Sequence, residues 1–317
     1  MADTLVIRRR IKSISSTRQI TKAMQLVAAS KLRAAATAAA TTERYRRQLD
    51  SVLSQVALNP DWVLHPLVQP SAATTTHVVL IGSDHTLAGA YHSRLETMLS
   101  RGIDKQTAAG HAVELTTIGR IPAGIAARTP GISVYERLDG LNVLPTIWEV
   151  QAAAHKLVER YQAGEIGCVL VIATRFESAL RQVVETRQLL PLTAPVVSSG
   201  PAAVDTPSVL ADAAVRPGSP SQASPAAHTV TAVPPTLEPD STTAITAAIQ
   251  NWLRAALLDS ATNAVASEHA MRMLAMQNAT TNAGDLIDDL TLEYNTARQA
   301  AITQELAEIS GGVAALS

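Results

Sequence analysis

Residues 82–89, GSDHTLAG, follow a β-branched run and precede a helical stretch, the place where an α/β chain would hold a nucleotide. A phosphate loop needs glycines that let backbone amides approach the anion and a lysine to meet its charge, as in GxxxxGK followed by Ser or Thr. This stretch has neither that lysine nor GxGxxG spacing, so Asp84 reads as a helix-capping or turn residue in preference to a ligand. The eight histidines are scattered, His85 and His92 are seven apart, and no HExxH or tight cluster of His and carboxylate offers a metal site. Cys168 sits in the apolar run GCVLVIAT, without the exposed, electropositive setting that makes a thiolate nucleophile, and there is no GxSxG elbow. No residue is assigned a catalytic, cofactor-binding or metal-ligating role.

What the chain does offer is charge. TRQITKAMQLVAASKLRAAA, residues 17–36, carries four cations and no acid, glycine or proline. Such a run on a helix is usually just solvated. A nucleic-acid arm would interleave stacking aromatics, and only Tyr45 falls within the first 59 residues. A protein partner with acidic loops is the third reading, since cations along an exposed helix supply attraction and a gradient of contacts.

The elements that must carry these residues are marked by where helix breakers fall. The first proline is Pro60 and the last Pro239; the first glycine is Gly82, and only Gly284, Gly311 and Gly312 come after Pro239. The two terminal segments are therefore free to be helices on the order of 90 Å or more in length, at about 1.5 Å per residue. Ile7, Ile11, Ile14, Met24 and Val27 recur at helical spacing in the first, and Ile287, Leu290, Tyr294, Ala297 and Ala301 in the last. Each is a narrow seam that a long helix must cover, so the two termini are expected to pair as an antiparallel coiled coil. Their charges agree: residues 1–59 hold eleven Lys and Arg against three acids, and residues 240–317 hold nine acids against three Arg. Opposite charge is what a mutually paired hairpin would show.

Between the ends the period changes. THVVLIG, AVELTTI, GISVYER and IGCVLVIAT read as strands at 76–82, 112–118, 131–137 and 166–174, separated by helical stretches near 87–99 and 145–163 and a short helix after residue 118. That alternation predicts a small doubly wound, mainly parallel sheet. RFESALRQVVETRQLLPL reads as an edge strand ending at Pro191, and 198–236, rich in Pro, Ser, Ala and Thr, reads as a flexible insertion. One cysteine excludes a disulfide framework, and no apolar run reaches the roughly 18 residues of a membrane span. The Arg- and Ser-rich, acid-poor start has the composition of a mitochondrial transit peptide, but its helical pattern continues past residue 30 without a cleavage-like break.

IRRRIKSISSTRQITKAMQLVAASKLRAA at one end, and SEHAMRMLAMQNATTNAGDLIDDLTLEYNTARQAAITQELAEISGG at the other, resemble the two terminal signatures of the γ subunit of F-type ATP synthases. QLLPL and LEPD extend the resemblance through the middle, so it spans essentially the whole chain apart from the insertion. The resemblance implies a non-catalytic rotor shaft, one copy per complex, with no cofactor of its own and no nucleic acid. Its helices would stand in a ring of three α and three β subunits, and its Rossmann-like foot beside the c ring and the ε subunit. Membrane association would run through the c ring, at the cytoplasmic face of a bacterial plasma membrane. The implied division is an N-terminal shaft helix over 1–59, the foot over 60–197, the insertion over 198–236 and a C-terminal shaft helix over 237–317. The rival from another class is a soluble α/β domain with a coiled-coil arm for a partner or nucleic acid.

By the same resemblance Lys22, Lys31 and Arg33 suit acidic loops of β, and Met24 falls where the shaft passes the β lever loops. Arg272, Gln299, Thr303 and Glu305 fall where family members contact β or hold the two helices together, with packing of the coiled coil alone as the plainer reading for Gln299 and Thr303. Glu238, with Asp240 beside it, matches the family's acidic element near the c ring. The terminal GGVAALS suits an apolar bearing, where a stranded charge would be costly. Where the family shows a loop close to SDRGLCGGLN, this chain has SDHTLAGAYH, and aromatics are missing before LEPD. The foot departs further than the shaft, which suggests a variant or second-copy machine with an altered rotor interface.

Overall fold

The computed structural model describes residues 2–139, 145–192 and 237–316. The flexible insertion expected at 198–236 lies outside the described residues. Two helices dominate: α1 (Ala2–Val56) and α5 (Ser241–Leu316), of 55 and 76 residues. α1 ends ahead of Pro60, where Asn59 accepts the Asp61 amide at 2.9 Å and opens a 3-10 turn over Pro60–Trp62. α5 begins just after Pro239, with the Asp240 carboxylate accepting the Thr243 amide at 2.8 Å, as a helix start requires.

Between them lie β1 (Thr75–Ile81), α2 (Tyr91–Ala108), β2 (Ala112–Ile118), α3 (Arg120–Arg128), β3 (Ile132–Leu138), α4 (Ile147–Gln162), β4 (Cys168–Phe176) and β5 (Gln182–Leu190). The strand order is β3-β2-β1-β4-β5, parallel except for β5, which pairs antiparallel with β4 at the edge. The doubly wound sheet is as expected; the edge strand lies within the expected 175–192 but starts at Gln182, because Arg175 and Phe176 still belong to β4, and α2 starts four residues later than the pattern suggested. Strand alternation sorts the core into two layers. Val78 and Leu80 face α2 and α3, whereas Val79 and Ile81 face α4, the lower part of α5 and the end of α1. Backbones approach closely at Gly167, where a Cβ would stand 2.0 Å from the Ala73 carbonyl oxygen, so no other residue fits there without backbone movement.

α1 and α5 lie antiparallel along one another. Trp252 Nε1 donates to Asp50 Oδ1 at 2.7 Å, Arg46 Nε to Asp259 Oδ2 at 3.0 Å, the Thr42 and Thr262 hydroxyls meet at 2.8 Å, and Thr280 donates to Thr21 at 2.8 Å. Partners rise on one helix as they fall on the other, which fixes the register. Continuing it, the start of α1 reaches the level of about residue 301, and α5 runs on alone for about 15 residues, roughly 20 Å. Ile302, Leu306 and Ile309 on that overhang are exposed.

The seam differs from the expected one in composition. Ile7 is buried and Ile11, Ile14 and Met24 are half-buried, but Val27 is 56% exposed, and its place is taken by Ala28, Leu32, Ala35 and Ala39. On α5 the residues packed against Ala35 and Ala39 are Val265 and Ala266. Alanine at the contact lets the helix axes approach closely, and the closer line runs one residue past Val27. The upper seam of Ile287, Leu290, Tyr294, Ala297 and Ala301 is half-buried at the expected spacing.

The opposite charges of the two ends do not hold them together. Arg8, Arg9, Arg10 and Lys12 are exposed, as are Asp285, Asp288, Asp289 and Glu293, and among the described residues the ion pair joining α1 to α5 is Arg46 with Asp259. Exposed pairs of long side chains gain at most about 1 kcal/mol, so packing of the seam and a few buried polar pairs do the joining.

His77, fully buried in β1, shows how the sheet is tied to α4. Its Nδ1 donates to Glu114 at 2.6 Å, its Nε2 accepts from Thr116 at 2.9 Å, and Arg160 of α4 grips Glu114 from the other side while lying 4.0 Å over the Tyr135 ring. Burial pushes Glu114 up, but the bonds from Arg160 and His77 outweigh it and hold the carboxyl below its usual range. Burial pushes His77 down despite Glu114, and it also lowers His65, His92 and His269. A histidine that stays neutral in the fold but titrates near 6.5 when unfolded contributes its full stability above that value. Stability should therefore fall as pH drops from about 7 to about 5, by an amount that grows with each such histidine. Urea denaturation across that range is the check, and a flat profile would contradict it.

Candidate partner-binding site

The loop after β1, where a doubly wound sheet would bind a ligand, is occupied by the chain itself. Asp84 Oδ1 accepts the backbone amide of Arg120, the first residue of α3, at 2.6 Å, and the Asp84 carbonyl accepts from the Arg120 guanidinium at 3.0 Å. Asp84 is thus a capping residue for α3. Gly119 has φ +105°, and a Cβ there would stand 3.2 Å from the backbone of Gly82 and Ser83, so the two strand-end loops fit only with glycine. Leu87, at φ 64°, is held left-handed with its side chain exposed.

Arg272 ties this loop to the shaft. It is buried in α5, pairs with Glu268 one turn earlier, and donates to the carbonyls of Thr86 at 3.2 Å and His85 at 3.5 Å. Its guanidinium is spent inside the chain. Tyr91, fully buried at the start of α2, donates to the Ala264 carbonyl at 3.3 Å and makes a second tie between foot and α5. The loop is therefore tied both to α3 and to α5.

Lys22, Lys31 and Arg33 are all exposed on α1, with Lys22 donating to Gln25 at 3.3 Å, and Met24 is half-buried beside them. Met24, Lys31 and Arg272 are brought together around a cavity of about 440 Å³ between α1, α5 and the 82–90 loop, which His269 and Arg120 also line. Gln299, Thr303 and Glu305 are exposed near and along the free end of α5, where the Thr303 hydroxyl donates to the Gln299 carbonyl at 2.9 Å. Glu238 is exposed at the opposite end of the helix, and Asp240 serves as its cap, so the backbone amide of Thr243 holds its carboxyl below the usual range. The ten residues thus fall at three heights: a belt at the joint, the free tip and the foot of α5.

The sequence reading did not pick out Glu268, His269 or the Asp259 pair. The first carried a signal, because Glu268 and Arg272 are four apart in a helix, a spacing that places opposite charges on one face. Asp259 and Arg46 are 213 residues apart and carried none. Burial pushes the Cys168 thiol up, which makes it a poorer nucleophile. Among the described residues no cluster of His, Cys, Asp and Glu could hold a metal, and no helix is long and apolar enough to cross a membrane.

A stiff two-helix shaft, locked in register and rooted in a small α/β foot, with its exposed polar groups ranged along its length, defines a central-stalk subunit. The family model described as ATP synthase matches residues 4–316. The ATP synthase gamma chain of Anaeromyxobacter dehalogenans (strain 2CP-C) is 36% identical over 98% of both chains, and that of Staphylococcus saprophyticus is 31% identical over 97% of this chain and 96% of its own. A chain of the Euglena gracilis mitochondrial ATP synthase shares the fold at TM-score 0.60 and 15% identity, over 99% of this chain and 95% of that one. A chain from the Tetrahymena thermophila central stalk and c ring does so at TM-score 0.55 and 20% identity, over 82% and 99%. The chain belongs to the ATP synthase gamma-chain family. It is accordingly a non-catalytic rotor subunit of a membrane-associated complex, and the nucleic-acid arm is not favoured.

Proposed function

We propose that this chain stands inside a ring of α and β subunits at the cytoplasmic face of a bacterial plasma membrane, one copy per complex, with its foot beside the c ring and ε subunit. The observation that carries the reading is the continuity of α5. It is buried against the sheet from Ile245 to Ala264 and continues unbroken to Leu316, so torque applied at the foot reaches the tip through one helix. The bacterial gamma chains among the relatives, and the central-stalk, c-ring and rotor titles of the related solved chains, support the partners.

The functional division is a shaft of residues 1–59 and 237–317 and a foot of 60–197. The shaft is lopsided: cations lie on α1, acids on α5, and α5 alone forms the tip. Each surrounding β subunit then meets a different face, and turning the shaft shifts each between conformations of different nucleotide affinity. Lys22, Lys31 and Arg33 meet acidic loops of β beside Met24, and Gln299, Thr303 and Glu305 engage the collar around the tip. Glu238 and Asp240 stand at the end of α5 nearest the c ring. Arg272 acts through the loop it holds.

The test is to neutralise the belt. Replacing Lys22, Lys31 and Arg33 together by glutamine should weaken association with the α and β subunits about tenfold, on the basis of roughly 0.5 kcal/mol for each exposed charge contact. The loss should shrink as salt is raised. Unchanged affinity at low salt would remove the belt from the interface.

A further inference from the structure

We infer that the cavity between α1, α5 and the 82–90 loop is a binding site for a carboxylate carried on an apolar body. Binding to the isolated chain is independent of the shaft reading, and only a neighbouring subunit as the source of the carboxylate rests on it. At about 440 Å³ the cavity has the size of a small-molecule site. His269, 5% exposed, lines it. Its Nδ1 lies 3.3 Å from Arg272 Nη1, and because a guanidinium can only donate, Nδ1 is the acceptor and the neutral ring carries its proton on Nε2. That Nε2 is buried and has no hydrogen-bond partner. Burial pushes the ring's pKa down against the opposing pull of Glu268, and Arg272 and Lys31 add to the lowering, which favours the neutral ring. An unpaired buried N–H is costly and is relieved by an acceptor brought in from outside.

The remaining lining says what kind of acceptor. Arg272 is already neutralised by Glu268, whereas Lys31 and Arg120, whose guanidinium gives one N–H to the neutral Asp84 carbonyl, keep their charge for a ligand. Together with the His269 N–H they suit an anionic oxygen. Val27 and Leu87, 56% and 57% exposed, and half-buried Met24 provide apolar walls that a bare inorganic anion would leave wet. The carboxylate could belong to a free small molecule or to an acidic side chain of a neighbouring subunit; both present the same oxygen to His269 and Lys31.

The experiment titrates octanoate and, separately, inorganic phosphate into the full-length chain by calorimetry, and then into its assembly with α and β subunits. Octanoate should bind the chain at a single site at least about tenfold more tightly than phosphate, and His269→Leu or Lys31→Gln should each weaken it about tenfold. His269→Gln should retain binding, since its amide can accept from Arg272 and donate into the cavity. Octanoate binding that persists in the assembly supports a free ligand, and binding abolished by assembly supports a neighbouring side chain in the same place. No saturable octanoate binding to the chain, or binding indifferent to Lys31→Gln, would overturn the inference. Lys31 is exposed, so that variant remains decisive even if His269→Leu does not fold.

Discussion

Replacing Arg272 by alanine should cost roughly 3–5 kcal/mol of stability, the range for breaking a buried ion pair by removing one partner. The side chains of Arg272 and Glu268 are 11% and 6% exposed, so the variant strands a carboxylate between α5 and the foot without its partner. The carbonyls of His85 and Thr86 lose their donor at the same time, and the loop after β1 loses its tie to the shaft. Urea denaturation of the full chain measures the first effect. Removing both charges, as Glu268→Leu with Arg272→Leu, should cost less than Arg272→Ala alone, because no charge is left stranded. In the assembled machine Arg272→Ala should keep ATP hydrolysis while lowering the ion transport obtained per ATP. If the double variant proves the less stable, the stranded-charge account fails.

Asp259→Ala should be the next most damaging change, at about 3 kcal/mol. Asp259 is buried in α5, accepts from Arg46 of α1 at 3.0 Å and from Asn263 at 2.9 Å, and lies 3.5 Å from Arg187 of β5, so one carboxylate joins both long helices and the sheet edge. The cost stays at the lower end because Arg46 keeps Asp50 at 2.7 Å and Arg187 keeps Glu185 at 2.8 Å. The pH dependence separates this from a simple cavity. Burial pushes the Asp259 carboxyl up, against the pull of Arg46 and Arg187. A carboxyl raised in the fold binds its proton more tightly there than in the unfolded chain, so its contribution is largest at low pH and is lost as pH rises through the folded value. It partly offsets the four histidines that lose stability on acidification. Asp259→Ala should therefore steepen the acid loss as well as lower stability at neutral pH, and a parallel shift of the whole profile would contradict the assignment.

Both residues illustrate where reading the sequence stopped. The helices at the ends were legible because proline and glycine are confined to the middle, and the strands because β-branched runs alternate with helical stretches. The upper seam from Ile287 to Ala301 was legible because its large residues recur at helical spacing. The lower seam was not, since it is built of alanines such as Ala28, Ala35 and Ala39, which hydrophobic periodicity weighs little and close packing requires. The opposite charges pointed to a paired hairpin, which is what forms, but most of these side chains end in solvent and the joining falls to Arg46 with Asp259, Thr21 with Thr280, Thr42 with Thr262 and Asp50 with Trp252. Of the candidate contacts, the sequence placed Lys22, Met24, Lys31 and Arg33 on one segment, but not beside His269 and Arg272, because the antiparallel register that brings them together is set by contacts more than 200 residues apart.

The most direct test is to watch the shaft turn. With Cys168 replaced by alanine and a cysteine placed at exposed Arg101 of α2, a bead can be attached to the foot of the assembled complex while the α and β subunits are fixed to a surface. Adding ATP should drive rotation in one direction, with one dwell for each β subunit and torque that weakens in Arg272→Ala. A bead that only fluctuates about a fixed angle, while the same complexes hydrolyse ATP, would contradict the claim that this chain couples rotation to nucleotide chemistry.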